Sequence, residues 1–91
     1  MHNECLLELY HRHLTDNARR ALEVVIEQEE VTMETIMVTA RLTTQQTRRG
    51  VWGLACTGLI CYNPGRPVRL SENGHRLAQL LQQGTKGEPA R

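Results

Sequence analysis

The feature that most restricts the fold of this 91-residue chain is a change in its hydrophobic period at Gly58. Before Gly58, apolar residues recur at the three- to four-residue spacing of helices that bury one face. After it, residues 59–62 are β-prone and lead into the tetrapeptide Asn63-Pro64-Gly65-Arg66. This tetrapeptide is a turn signal, because Pro presets the first central position and Gly tolerates a positive φ at the second. The pattern predicts a mainly α fold with a small β-hairpin.

Helix-capping residues divide the segment before Gly58 into four predicted helices. The expected helices cover residues 3–14, 17–29, 33–40 and 44–56. Thr32 precedes the third helix and Thr43 or Thr44 the fourth, and threonine is a residue type that caps helix N-termini. Gly58 is expected to end the fourth helix, because glycine readily adopts the left-handed conformation found there.

The rest of the chain supplies the hairpin and one more helix. Residues 67–70 are predicted to form the returning strand, and Ser71 is expected to cap a helix over residues 72–82. We expect a single domain over residues 1–83, made of an N-terminal helix (3–14), a core and wing (17–70) and a C-terminal helix (71–83). Residues 84–91 contain Gly, Pro, Lys and Glu and are expected to form a flexible tail.

The charge of the chain is small overall but unevenly distributed. Residues 1–40 carry three arginines and eight acidic residues, a net −5, whereas residues 41–91 carry eight basic and two acidic residues, a net +6. Five arginines lie in a stretch without any acid: Arg41, Arg48, Arg49, Arg66 and Arg69. A one-sided basic half is typical of proteins that bind a polyanion, although chance asymmetry of a solvated surface gives the same pattern.

Two motifs flank the predicted hairpin. The fourth helix ends in Leu54-Ala55-Cys56-Thr57-Gly58-Leu59-Ile60, and the return strand leads into the last helix with Val68-Arg69-Leu70-Ser71-Glu72-Asn73-Gly74. With these motifs in this order, residues 17–82 resemble the winged-helix domains of MarR-like bacterial regulators. The resemblance implies a winged helix-turn-helix: a trihelical core and a wing, with additional N- and C-terminal helices. Because the chain is shorter than full-length MarR proteins, no built-in small-ligand pocket is expected.

The resemblance and the residues together predict that the fourth helix binds double-stranded DNA. The major groove admits one helix, and a helix-turn-helix inserts its second helix with the N-terminal residues against base edges. If Thr47, Val51 and Leu54 face the core, the exposed side chains include Gln, which matches adenine, and Arg, which matches guanine. The predicted DNA-binding residues are Thr44, Gln45, Gln46, Arg48 and Arg49 on the helix, and Arg66 and Arg69 on the wing. An ordinary solvated face is the alternative for the helix residues.

Two further residues of the fourth helix are open to more than one interpretation. Gly50 is expected to permit a close approach of the helix to the DNA backbone. Trp52 can pack into the core beside Leu59, stack on a sugar or fill a pocket of a partner. Packing in the core or in an interface is the commoner fate of a lone tryptophan and is the expectation here.

The three cysteines predict a reduced protein rather than a disulfide scaffold. Cys5, Cys56 and Cys61 make an odd count, and no pair has CxxC spacing. Cys56 and Cys61 lie in apolar sequence, so we expect buried, unreactive thiols in a cytoplasmic protein.

A metal site and a catalytic site are not expected. His2, Cys5, His11 and His13 cluster near the N-terminus, and metal sensors of the ArsR type resemble this fold. Helical geometry nevertheless points His11 and His13 to different sides, which does not suit a shared metal. Ser71 is explained as a helix cap, and no glycine-rich phosphate loop is present, so neither an enzyme nor a cofactor is predicted.

The resulting prediction is a cytoplasmic, sequence-specific transcriptional regulator that binds DNA as a homodimer. Spare apolar faces on residues 3–14 and on the C-terminal helix favour the homodimer. No signal peptide is visible, and the longest apolar stretch, residues 50–62, is too short to cross a membrane. The sequence identifies no small-molecule effector. The alternative is a winged-helix protein-interaction module of a larger assembly, favoured by the near-neutral charge, the acidic helices and Trp52.

Overall fold

The computed structural model describes residues 2–87, with side chains as far as residue 83. Over this range the chain forms these elements: α1 (Asn3–Glu8), α2 (Asp16–Gln28), β1 (Glu30–Val31), α3 (Met33–Ala40), α4 (Thr44–Cys56), β2 (Ile60–Cys61), β3 (Val68–Leu70) and α5 (Glu72–Gly87). The predicted mainly α fold is confirmed, and α3 and α4 have the predicted bounds.

The predicted first helix contains two kinds of helical turn. α1 continues into a π-helical segment, Leu9–His13, in which the Leu14 N–H donates to the carbonyl oxygen of Leu9 (3.0 Å). The extended backbone of Leu14 ends the segment, and Thr15 then caps α2 by accepting the Ala18 N–H (3.1 Å). α1 packs against α5, which brings the two ends of the described chain together.

The core is aliphatic, as a sequence without phenylalanine requires. Its fully buried large side chains include Leu6, Leu22, Val25, Ile36, Val51, Leu54, Leu59, Val68 and Leu77. α2 crosses α4 at Gly50, where an added Cβ would lie 3.4 Å from both the Cα of Ala18 and the carbonyl oxygen of Asn17. Gly50 is buried in this helix crossing and so serves the packing of α2 on α4, while its expected close approach to the DNA backbone stays a prediction.

α3 ends at an arginine in the left-handed conformation. Arg41 has a φ of 58°, and its N–H donates to the carbonyl oxygen of Val38 (3.3 Å). The Leu42 N–H donates to the carbonyl oxygen of Met37 (3.0 Å). These two bonds form a Schellman motif, in which glycine is the usual left-handed residue. The motif fixes the direction in which the chain leaves α3 for α4.

Replacing Arg41 by Gly is expected to stabilise the fold by roughly 0.5 kcal/mol. A residue with a Cβ costs about 1–2 kcal/mol in the left-handed region, and the greater freedom of glycine in the unfolded chain offsets about 0.5–1 kcal/mol of that gain. The midpoint of urea unfolding measures the difference. Arg41→Ala is the matched control, because it removes the same charged side chain but keeps the Cβ. A midpoint for Arg41→Gly at or below that of Arg41→Ala would contradict the prediction.

The hairpin belongs to a three-stranded antiparallel sheet in the order β1-β3-β2. Val31 of β1 lies opposite Val68, and Glu30 lies opposite Arg69. The sequence does not predict β1, because a strand of two residues is too short to show the alternation of apolar and polar residues by which strands are recognised. The valines face the helices, whereas Glu30 and Arg69 are exposed on the outer face of the sheet.

Both predicted glycine roles around the hairpin are confirmed. Gly58 has a φ of 81° and ends α4, and Gly65 has a φ of 80° in the turn. The Arg66 N–H donates to the carbonyl oxygen of Asn63 (3.0 Å), which closes the Asn-Pro-Gly-Arg turn. The bends at Gly58 and at the Asn63–Arg66 turn therefore help to set the position of the wing relative to α4, and both depend on residues close together in the chain.

The two motifs that flank the hairpin contact each other directly. Ser71 donates from its hydroxyl to the carbonyl oxygen of Gly58 and from its N–H to that of Leu59 (3.0 Å). The same hydroxyl accepts the Gly74 N–H (3.1 Å), so Ser71 also caps α5 as predicted. A Cβ on Gly74 would lie only 2.1 Å from the carbonyl oxygen of Leu59. The serine and the glycine of the second motif therefore close the base of the hairpin against the first motif.

Two sequence-based expectations differ from the structure. α5 continues to Gly87, past its expected end at residue 82, because no proline interrupts the helical segment before Pro89; residues 88–91 of the predicted tail lie outside the described residues. Cys56 and Cys61 are exposed rather than buried, as is Cys5. Cys56 lies on the side of α4 away from the core, and Cys61 lies on the outer face of the sheet.

None of the described helices is long and apolar enough to span a bilayer.

Candidate nucleic-acid interface

α4 begins with a capping box that fixes its first turn. The Thr43 hydroxyl accepts the Gln46 N–H (3.1 Å), and the side-chain oxygen of Gln46 accepts the Thr43 N–H (3.0 Å). Each side chain thus satisfies a backbone donor that the helix itself leaves unpaired. The buried face of α4 consists of Thr47, Gly50, Val51 and Leu54, so the opposite face of the helix is turned to solvent.

The solvent side of α4 carries all five helix residues predicted to bind DNA. Thr44, Gln45, Gln46, Arg48 and Arg49 are exposed. α4 has no acidic residue, and among the described residues no ion pair involves Arg48 or Arg49. Both guanidinium groups are therefore available to an external anion. Gln46 differs from the others because its side-chain oxygen is held in the capping box, which leaves the amide N–H groups for a ligand.

The first turns of α2 and α4 lie side by side and form a concave surface. It is lined by Thr15, Asn17, Thr43, Gln45, Gln46, Arg49 and Gly50. The first N–H groups of a helix have no partner within the helix, and the helix dipole adds partial positive charge at this end. Two helix N-termini and the guanidinium group of Arg49 thus converge on one surface, which suits a phosphate group.

A groove runs between α3, α4 and the wing. It is lined by Met33, Glu34, Met37, Val38, Thr44, Thr47, Arg48 and Tyr62. The Thr44 hydroxyl donates to the sulfur of Met37 (3.3 Å), so Thr44 lies against α3. Tyr62 also lines a neighbouring depression together with Arg66. The surface from Arg48 to Arg66 is therefore continuous, and Tyr62 lies between the two arginines.

The two wing arginines differ in their surroundings. Arg66 is exposed at the turn between β2 and β3 and adjoins the α3 side of the wing. Arg69 lies on the outer face of the sheet, opposite Glu30 in the strand register. The acidic neighbour partly offsets the charge of Arg69. The structure thus brings Arg66 to the edge of the α3–α4 surface, whereas Arg69 faces away from the helices.

Trp52 is exposed over 68% of its surface, so of the two expected environments, the core and an interface, the core is wrong and the interface stays a prediction. The alternatives that remain are an interface or a ligand contact. Its position follows from the helical period: Thr47, Val51 and Leu54 take the core side of α4, and Trp52 lies on the far side.

Three surface residues have no place in the sequence-based prediction of the interface. Thr15 and Asn17 are recognisable in the sequence only as helix-capping types, and they join the surface because α2 packs so closely on α4. Tyr62 reads as part of a strand, but its position between the wing and α4 depends on the hairpin fold. Gly50 is the one signal in the sequence for this packing, since a small residue within a helix can mark a close crossing.

The described residues contain no group of three or more His, Cys, Asp or Glu side chains arranged to hold a metal ion. The N-terminal histidines therefore form no cluster with a third ligand over this range. Ser71 has its hydroxyl engaged in the contact between Gly58 and the start of α5, which is a structural role.

The chain matches no family model and no curated protein in sequence, but it is similar to several solved structures. A MarR family regulator from Neisseria meningitidis superposes with a TM-score of 0.70 at 22% identity, covering 93% of this chain and 64% of the regulator. A MarR family transcriptional regulator from Silicibacter pomeroyi superposes with a TM-score of 0.67 at 18% identity, covering 92% of this chain and 66% of that one.

The Mycobacterium tuberculosis protein RV1404 superposes with a TM-score of 0.75 at 17% identity, covering 98% of this chain and 65% of that protein. The chain thus spans slightly less than two thirds of the length of the structures it matches. These superpositions show that it has a winged-helix fold of the MarR type, as its two sequence motifs predict.

Proposed function

We propose that this MarR-like winged-helix chain is a transcriptional regulator that binds double-stranded DNA in a sequence-specific manner. In this proposal the first turns of α4 enter the major groove, where Gln45 and Arg49 contact base edges or phosphates. Thr44, Gln46 and Arg48 contribute from the sides of the helix, and Arg66 contacts DNA from the wing. Arg69, opposite Glu30 on the outer face of the sheet, is the weakest of the predicted contacts and is not counted among the main cationic ones. The chain acts as a DNA-binding protein of the cytoplasm and not as an enzyme.

The observation that carries the proposal is the pair of unpaired guanidinium groups on an acid-free, exposed helix face. Arg48 and Arg49 lie within the first two turns of α4, which is the part of a second helix that faces base edges in helix-turn-helix proteins. The adjoining N-terminus of α2 offers a site for a phosphate beside them. Two of the similar structures are MarR family regulators, which supports the same interpretation.

A homodimer completes the proposal, because one small domain contacts few base pairs. α1 and α5 pack together and leave Leu7, Leu80 and Leu81 only partly buried. A second copy that covers these side chains would place two α4 helices on one duplex. The partner surface in this proposal lies on the α1–α5 side of the molecule.

We expect the affinity for duplex DNA to fall steeply with salt. Each neutralised phosphate contributes about 0.9 to the slope of log affinity against log salt, so a dimer with about three cationic contacts per subunit gives a slope near −5. Fluorescence anisotropy of a labelled mixed-sequence duplex at 50–200 mM salt, about the range over which this effect is large, measures it. A slope near zero, or no binding at the lowest salt concentration, would contradict the proposal.

The second candidate is a protein-interaction module. The side chains of Trp52 and of Val38, which is 72% exposed, are the large apolar side chains that a protein partner would cover on the described surface. Such a module would bind duplex DNA weakly and without the steep salt dependence. The same titration therefore separates the two candidates.

A further inference from the structure

Trp52 is an exposed large apolar side chain on α4, and the proposed function assigns it no contact. It is exposed over 68% of its surface and is the single tryptophan of the chain. An indole in water is unfavourable, because its apolar area is among the largest of any side chain. Covering the indole with a ligand would therefore be favourable, and its neighbours on the helix decide which ligand suits it.

The position of Trp52 on the helix relates it to the predicted DNA-binding residues. Gln45, Arg49, Trp52 and Cys56 follow one another at intervals of four, three and four residues, so they form one line along the solvent side of α4. All four residues are exposed. Trp52 is eight residues beyond Thr44, about 12 Å along the helix, in its third turn. A duplex that lies along this line of exposed residues, and not only against the first two turns, would contact Gln45, Arg49 and Trp52 together.

The charge around Trp52 favours DNA over a protein as the covering partner. Arg48 and Arg49 precede it by four and three residues and are its neighbours on the helix surface. Neither arginine is in an ion pair among the described side chains, and α4 has no acid. A partner that covers the indole must therefore also accept two positive charges. The major groove meets both requirements, because it is lined by phosphates and presents the apolar C5-methyl group of thymine.

We propose that Trp52 determines specificity by contacting the C5-methyl group of a thymine in the major groove. This inference rests on the proposed function, since it needs α4 to enter the groove. Burying one methyl group corresponds to about a fourfold change in affinity. The wild-type chain should accordingly prefer thymine to uracil about fourfold at the contacted position, because uracil lacks only that methyl group.

The test uses a duplex enriched by the wild-type chain from a random-sequence library, with each thymine replaced by uracil in turn. Anisotropy titrations compare wild type, Trp52→Ala, Trp52→Phe and Val38→Ala. Val38→Ala is the comparison variant, since it truncates the other exposed large apolar side chain, on α3. Because Val38 lines the α3–α4 groove beside Arg48, only the ratio of thymine to uracil affinity is compared for this variant, and not its overall affinity. Because Trp52 does not pack in the core, Trp52→Ala should keep the wild-type circular dichroism and unfolding midpoint.

The expected result is one or more positions where uracil weakens binding by wild type and by Val38→Ala about fourfold, but leaves Trp52→Ala unaffected. Trp52→Phe should keep part of the preference, and the wild-type tryptophan emission should shift on binding. Salt-sensitive binding in which no thymine shows a Trp52-dependent preference overturns the inference and leaves the proposed function standing. Failure to enrich any sequence overturns both the inference and the sequence-specific part of the proposal. Failure to bind any duplex overturns the proposed function entirely and points to a protein partner for Trp52.

Discussion

Replacing Gly74 by Ala is expected to destabilise the fold by about 3 kcal/mol or more. The new Cβ would lie 2.1 Å from the carbonyl oxygen of Leu59 and 3.0 Å from a methyl carbon of Leu70. A backbone oxygen cannot rotate away as a side chain can, so α5 or the end of α4 must shift. Overpacking in a closely packed site costs about 1–3 kcal/mol and sometimes more. The shift would also disturb the hydrogen bond from the Ser71 N–H to the same oxygen.

Thermal and urea unfolding, followed by circular dichroism, measure this loss. A domain of this size has a total stability of roughly 5–14 kcal/mol, so the variant should be partly unfolded or should unfold at a much lower temperature. Gly53→Ala is the matched control, because Gly53 is also helical but a Cβ there meets nothing within 4 Å. That variant should gain about 1 kcal/mol from the higher helix propensity of alanine. Equal midpoints for the two variants would show that the contact between α5 and Leu59 is not close.

Replacing both Arg48 and Arg49 by Ala is expected to weaken DNA binding by about three orders of magnitude or more, because a dimer loses four arginine contacts. A bidentate contact of arginine to guanine contributes about 1–3 kcal/mol, and a phosphate contact contributes about 0.9 to the salt slope. If both arginines contact phosphates, the slope should therefore lose about 1.8 for each subunit. Anisotropy titrations at several salt concentrations measure the affinity and the slope together.

The fold should tolerate this double substitution, because both side chains are exposed and form no ion pair among the described residues. Arg12→Glu is the matched control: it changes the net charge by the same two units, but at an exposed position in the π-helical segment after α1. We expect this control to weaken binding much less than the double variant does, because Arg12 lies outside α4, three residues before Thr15 at the edge of the concave surface. If Arg12→Glu weakens binding as much as the double variant does, overall charge and not α4 governs the affinity.

The two large predicted effects concern the two ends of α4. Gly74 and Ser71 hold the base of the hairpin against the end of α4, while Arg48 and Arg49 lie near the start of the same helix. α4 is thus fixed at its C-terminal end by the wing and α5, and at its N-terminal end by its capping box and by the crossing with α2. Its exposed face is consequently presented on a rigid support, which is what a base-reading helix requires.

The sequence predicts the helix ends and the turn because these depend on residues close together in the chain. Thr32 and Thr43 accept N–H groups three residues further on, and Gly58 adopts the left-handed conformation at the end of its own helix. The Asn63–Arg66 turn is closed by a bond within four residues. The same local reasoning predicts which side of α4 faces solvent, and hence the exposure of Arg48 and Arg49.

The features that the sequence does not predict depend on contacts between residues far apart in the chain. β1 exists because Val31 pairs with Val68, which a two-residue segment cannot indicate by itself. Gly50 serves the crossing with α2, and Gly74 serves the contact with Leu59, because each lacks a Cβ where another backbone passes. The exposure of Cys61 follows from the register of the sheet. Contacts between near neighbours in the chain thus set the local hydrogen bonds and the helical periods, whereas the approach of distant backbones set the roles of Gly50 and Gly74 and the shape of the surface that α4 presents.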